Sequence, residues 1–205
     1  MNFNLEPTGH ATQPAWVIYS DHFLLSKHLL KKKNIEIFSR SFRIAIVFGL
    51  VFSLIVVVIG DLNGVNVAKK QPTKLAAMES LWETTTKAPV YLFALPDEEN
   101  ERNKIEIGTI SGLLSLLVFH NTDAEVKGLK AFPREERPPV MITSFAFKGM
   151  VGLGFYFVLV TIIGWFKRNR LADSPNFLKL MLLSIPLPYI AVELGWVLAE
   201  LGRQP

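Results

Sequence analysis

Three long apolar runs constrain this chain more than any other feature. Ile44 to Gly60 carries no charge at all, Met141 to Phe166 is broken only by Lys148, and Leu180 to Leu201 contains Pro186, Pro188, Glu193 and Glu200. A helix of about 20 apolar residues crosses the hydrocarbon core of a bilayer. A soluble helix normally keeps one polar face, whereas these runs are apolar all round. With half of its 205 residues apolar, the chain reads as an all-α, polytopic membrane helix bundle. A fourth run, Ile105 to Phe119, is rich in Gly and Ser and flanked by Glu106 and His120. It is too short to span and is expected in the interface or packed on the protein.

Basic residues orient the spans. Lys31, Lys32, Lys33, Arg40 and Arg43 crowd the start of the first, and Lys167, Arg168, Arg170 and Lys179 fill the link between the second and third. Both clusters belong on the cytoplasmic side. The chain therefore divides into a segment 1–28, a basic segment and span 29–60, an external loop 61–140, a span 141–166, a cytoplasmic link 167–179 and a span 180–205. The net charge of +4 is accounted for by this topology, and no aromatic-interleaved basic patch speaks for nucleic acid. Cysteine is absent, which excludes disulfides and thiolate chemistry. No nucleophile elbow, P-loop or dinucleotide fingerprint is present. His10, His22, His28 and His120 show no i, i+4 pair and read as solvated side chains.

The end of the third span has a charge pair that needs a reason. Trp196, Glu200 and Arg203 fall on one helical face, followed by Gln204 and Pro205. Ionisable residues in a span usually mark a functional site. On the residues alone, Glu200 and Arg203 equally read as a pair snorkelling to the interface. Met150 reads as a packing methionine, and Lys74 and Glu79 read as solvated loop residues.

Several motifs in order give a resemblance. The chain ends in Gly202-Arg203-Gln204-Pro205. Upstream lie Thr73-Lys74-Leu75-Ala76-Ala77-Met78-Glu79 with Trp82-Glu83-Thr84, then Phe147-Lys148-Gly149-Met150-Val151-Gly152, then Ile185-Pro186-Leu187-Pro188-Tyr189-Ile190-Ala191-Val192-Glu193. Together these are similar to the GRQPW, TKLAAxE...WET, FRxMVGxG and IPLPWIAVE patterns of cytochrome bd-type quinol oxidase subunit I, over roughly residues 29 to 205. The resemblance implies oxidation of quinol outside a bacterial cytoplasmic (inner) membrane and reduction of oxygen to water, with residues 61–140 as a large external quinol-binding loop.

It also implies roles for individual residues. Lys74 and Glu79 correspond to loop residues of quinol oxidation, where a carboxylate accepts a proton and an ammonium holds an oxygen. Met150 corresponds to the axial ligand of a low-spin haem b, and a thioether suits that site. Glu200 corresponds to the ligand of a high-spin haem b, with Trp196 and Arg203 lining that haem. Haem d completes the implied cofactor set, and subunit II of the oxidase is an implied partner. Glu193, expected to be buried in the third span, has at most a proton-path or hydrogen-bonding role.

Two departures qualify the picture. Lys148 stands where the family usually has arginine, which keeps the charge but loses the planar fork for a haem propionate. The motifs also fade upstream of Leu29, where a complete subunit has helices bearing the haem histidines. The chain is therefore expected to be the C-terminal half of a subunit, cut at both ends, needing the missing N-terminal helices and inactive alone. The alternative is a non-catalytic membrane protein that keeps the helices without a full haem set.

Overall fold

The computed structural model describes Leu30 and residues 35–201. His10, His22, His28, Lys31 to Lys33, Arg203 and the segment 1–28 lie outside the described residues. Ten elements are labelled here in chain order. These are α1 (Ile35–Lys70), α2 (Pro72–Glu79), β1 (Thr85–Thr86), β2 (Val90–Asp97), β3 (Arg102–Ile110), α3 (Leu113–Phe119), β4 (Glu125–Val126), α4 (Val140–Lys167), α5 (Pro175–Leu183) and α6 (Leu187–Leu201). The fold is mostly helical. Three helical stretches are long and apolar enough to cross a membrane: Ile35–Lys70, Arg134–Lys167 and Pro175–Leu201. Only 22%, 22% and 17% of their most apolar windows is buried, so lipid or other protein must cover the rest.

The first span does not stop at Gly60. Its 36 residues reach about 54 Å, far beyond a hydrocarbon core of about 30 Å. Asp61, Asn63 and Gly64 look like turn residues, but Val67 and Ala68 pack into apolar clusters further on, and that burial carries the helix through. Lys69 and Lys70 close it, where cations complement the helix dipole. Pro72 then opens α2 at a position where its missing N–H costs nothing.

The third span begins earlier than expected, at Pro175, and is broken rather than continuous. Pro186 can neither donate to the helix ladder nor fit against the preceding turn, so α5 ends at Leu183 and α6 starts at Leu187. Across the break the Ser184 hydroxyl donates to the Leu180 carbonyl at 2.7 Å, and the Leu187 N–H donates to the Ser184 carbonyl at 3.1 Å.

Residues 61–140 are structured, and the all-α expectation misses their strands. Strands β2 and β3 form an antiparallel hairpin that pairs Phe93 with Ile107 and Leu95 with Ile105, with a register shift between Leu95 and Pro96. Strands β1 and β4 form a second small antiparallel pair. The Ile105 to Phe119 run divides between β3 and α3, and Leu114, Ser115 and Val118 of α3 are buried against the protein. Glu101, just before β3, is paired with Arg134 at 2.7 Å and Arg137 at 2.8 Å, and these guanidiniums hold its carboxyl below the usual range. Glu98 accepts from the Met141 N–H at 2.9 Å, which places a carboxylate at the start of α4. The hairpin is thus fastened to the α4 N-terminus.

The described residues form two compact units. One takes those up to Leu54 together with Tyr156–Tyr189, and the other takes Ile55–Phe155 with those from Ile190. The first is built around Phe42, Ile46, Val160, Leu171, Phe177, Leu178 and Met181. A side chain at Gly164 would run into Ile46, so glycine there permits close helix packing. The second unit contains the three remaining apolar clusters and nearly all the candidate residues.

Candidate functional site

Helix α2 places Glu79 inside the protein. Thr73, Leu75, Ala76, Ala77 and Met78 are buried along the same eight residues, so this motif is a packed helix rather than a solvated loop. The helix ends at Ser80, whose backbone turns left-handed with φ 55° while its hydroxyl donates to that of Ser144 on α4 at 2.7 Å. Glu79 is only 6% exposed, and among the described residues no hydrogen bond reaches its carboxyl. The Lys148 ammonium on α4 stands 4.0 Å away. Burial lifts the Glu79 carboxyl to about 7, against the opposing pull of the Lys148 charge. Near neutral pH this carboxyl exists in both protonation states, as a proton acceptor must.

Lys148 is held as well. Its ammonium donates to the Tyr91 carbonyl at 2.7 Å and lies 5.8 Å from the centre of the Tyr91 ring. The Tyr91 phenol is pushed up first by burial and then by the Glu106 carboxylate. Asn103 ties the surroundings together: it accepts from the Trp82 indole at 2.9 Å and donates to Glu106 at 2.8 Å and to the Ser80 carbonyl at 3.1 Å. Trp82, Tyr91, Asn103 and Glu106 line an open cavity of about 420 Å³. Neither Lys74 nor Glu79 lines it. Lys74 is half-buried.

Met150, two residues after Lys148, packs against the cluster of Met78, Ala146 and Leu198. The residue next to Glu79 therefore shares an apolar cluster with Met150. Gly195 on α6 makes this approach possible, since a Cβ there would lie 3.3 Å from the Met150 sulfur.

Helix α6 has two faces. Leu194 and Leu198 turn toward the Met150 cluster, while Glu193, Trp196 and Glu200 are exposed on the other side, with Trp196 at 65%. Glu193 is thus exposed on the described protein rather than buried. The structure brings Glu79, Lys148 and Met150 together, and it keeps Trp196 and Glu200 on a different surface. Arg203 lies outside the described residues. Sequence reasoning missed Tyr91, Asn103 and Glu106. The alternation of Ile105-Glu106-Ile107 after the Asp97-Glu98-Glu99-Asn100 turn was a hairpin signal that would have placed them.

The donor chemistry fits haem. The half-buried Met150 thioether on an apolar helix is a donor suited to a haem iron. Among the described residues no group of three His, Cys, Asp or Glu gathers to hold a bare metal ion.

Fold and site together define a multi-helix protein, with helices able to cross a membrane, that sets a buried carboxyl beside a thioether-bearing span. The chain belongs to the cytochrome bd terminal oxidase subunit I family, whose model matches residues 16–205. It is 34% identical over 189 residues to the cytochrome bd ubiquinol oxidase subunit 1 of Bacillus subtilis (strain 168), covering 86% of this chain and 40% of the relative. It is 29% identical over 246 residues to the cytochrome bd-II ubiquinol oxidase subunit 1 of Escherichia coli (strain K12), covering 87% of this chain and 48% of the relative. A solved bd oxidase from Geobacillus thermodenitrificans superposes with a TM-score of 0.84 at 33% identity, covering 93% of this chain and 44% of that one. The chain thus spans about half, or somewhat less, of the length of these relatives.

Proposed function

We propose that this chain forms part of subunit I of a cytochrome bd quinol oxidase, in which quinol is oxidised at the outer face of a bacterial inner membrane and oxygen is reduced to water. The observation that carries this reading is the buried Glu79 carboxyl, poised near neutrality beside Lys148 and adjoining the Met150 cluster. Oxidation of a quinol releases two protons with two electrons. Glu79 takes a proton from a quinol hydroxyl, Lys74 holds a quinol oxygen, and Lys148 stabilises the carboxylate while Glu79 is ionised. Haem, when bound, supplies the electron acceptors and the oxygen-reducing centre: low-spin haem b on Met150, high-spin haem b on Glu200, and haem d. Trp196 and Arg203 would line the haem held by Glu200, and Lys148 would offer its charge to a propionate of the other.

The basic residues at the start of α1 and the end of α4 support a topology with those ends in the cytoplasm and residues 61–140 outside. Subunit II and further helices of subunit I complete the oxidase. Met150 and Glu200 provide one ligand to each of two haems, so the 205-residue chain expressed alone is expected to retain little haem and no oxidase activity.

Glu79→Gln, made in the assembled oxidase containing this chain, tests the proposal. Quinol oxidation should fall about a hundredfold, the low end for loss of a general base, while electron entry from an artificial donor changes little. Equal loss with both donors would show that Glu79 supports folding or haem retention instead.

A further inference from the structure

Far from the candidate quinol residues in sequence, a second cavity of about 320 Å³ opens between the first turns of α1 and the segment after α4. Arg40 and Arg43 line one side, Arg168 and Arg170 the other, and among the described residues Glu36 and Asp173 are the carboxylates that line it. All of these residues belong to the same compact unit. We propose that this cavity binds the phosphodiester headgroup of an anionic membrane phospholipid through the four arginines.

Charge balance is the first reason: four arginines and two acidic residues line one concavity. The one ion pair found among these residues, Arg40 with Glu36 at 3.3 Å, has both side chains highly exposed, so it gives way readily to a stronger anion. Orientation is the second. The Arg168 guanidinium lies 3.9 Å from the centre of the Trp165 ring and donates to the Trp165 carbonyl at 3.2 Å. These contacts restrain the guanidinium, and a planar guanidinium matches the paired oxygens of a phosphate.

Surroundings are the third. Ile37, Ile44 and Phe166, the last 81% exposed, are on the same two helices. A lipid whose headgroup occupied the cavity could lay its acyl chains on such residues, which free phosphate could not use. Basic pockets between spans on the cytoplasmic side are suited to anionic headgroups, and the basic residues put this end of the helices on that side.

The test uses the purified full chain in detergent and native mass spectrometry, with phosphatidylglycerol, phosphatidylcholine and inorganic phosphate as probes. Retention of phosphatidylglycerol but not phosphatidylcholine is expected, with inorganic phosphate neither retained nor displacing the lipid. Arg43→Gln with Arg170→Gln should weaken phosphatidylglycerol binding roughly 30-fold, about fivefold per charge and compounded. Glu36→Gln, which keeps all four arginines and frees Arg40, should tighten it. Equal retention of both lipids, or unchanged binding in the double arginine variant, would overturn the proposal. Displacement by inorganic phosphate would assign the site to a soluble phosphate and overturn the lipid. If the double variant does not fold, Glu36→Gln decides: unchanged or weaker binding would refute the site.

Discussion

Ionising Glu79 opposes folding, and the cost follows from its burial. The carboxyl moves from an ordinary 4.5 to about 7 in the folded protein because burial disfavours the charged form more than Lys148 restores it. A shift of this size corresponds to about 3 kcal/mol. The sign is that of a group whose folded value is raised. Its contribution to stability is fully present below 4.5 and is lost as pH rises through 7. Glu79→Gln removes the ionisation while keeping the shape, so the variant should not share this loss. Because the enthalpy and entropy of unfolding grow with size, the same free energy moves the melting temperature of a large assembly by less than the 2–4 °C per kcal/mol roughly typical of a domain of 150–250 residues. The assay is thermal unfolding of the assembled, detergent-solubilised oxidase across this pH range, comparing wild type with Glu79→Gln. The variant's melting temperature should gain on wild type as pH rises through the window. Parallel pH profiles would show that Glu79 is solvated and would remove the physical basis for its proton-accepting role.

Other consequences follow from single contacts. Gly195→Leu should push the Met150 sulfur from its place, destabilising the protein by about 1–3 kcal/mol and perturbing the low-spin haem in reduced-minus-oxidised spectra; an unaltered spectrum would separate Gly195 from the haem site. Asn103→Ala breaks hydrogen bonds to Trp82, Ser80 and Glu106 at once, and should cost about 1–3 kcal/mol in denaturant unfolding; a loss below a few tenths would mean water replaces them. The Asp123 side chain is 69% exposed and open to labelling. A cysteine at Asp123 should react with a membrane-impermeant reagent once the outer face of the inner membrane is accessible. Reaction only after that membrane is broken would reverse the topology.

The spans were legible because Ile44 to Gly60 and Met141 to Phe166 are apolar on every side, a pattern few other environments tolerate. The end of α1 was not, because Gly60, Asp61, Asn63 and Gly64 have local turn preferences that the packing of Val67 and Ala68 overrides. Pro186 signalled the break in the third span. The burial of Glu79 had no local signal, because it depends on Lys148 from a distant helix and on Ser80 meeting Ser144. Motif resemblance pointed to Lys74, Glu79, Met150 and Glu200 as a set. Only the fold shows that Glu79 and Met150 adjoin one cluster while Glu200 belongs to the opposite face of α6.

The central claim is that Glu79 takes the proton of quinol, and the most direct measurement is the rate of haem reduction by quinol after rapid mixing, followed across pH. In the assembled wild-type oxidase the rate should rise as Glu79 ionises through about 7, and in Glu79→Gln it should be low with no such rise. A Glu79→Gln enzyme that shows the wild-type rate and the same rise would contradict the account.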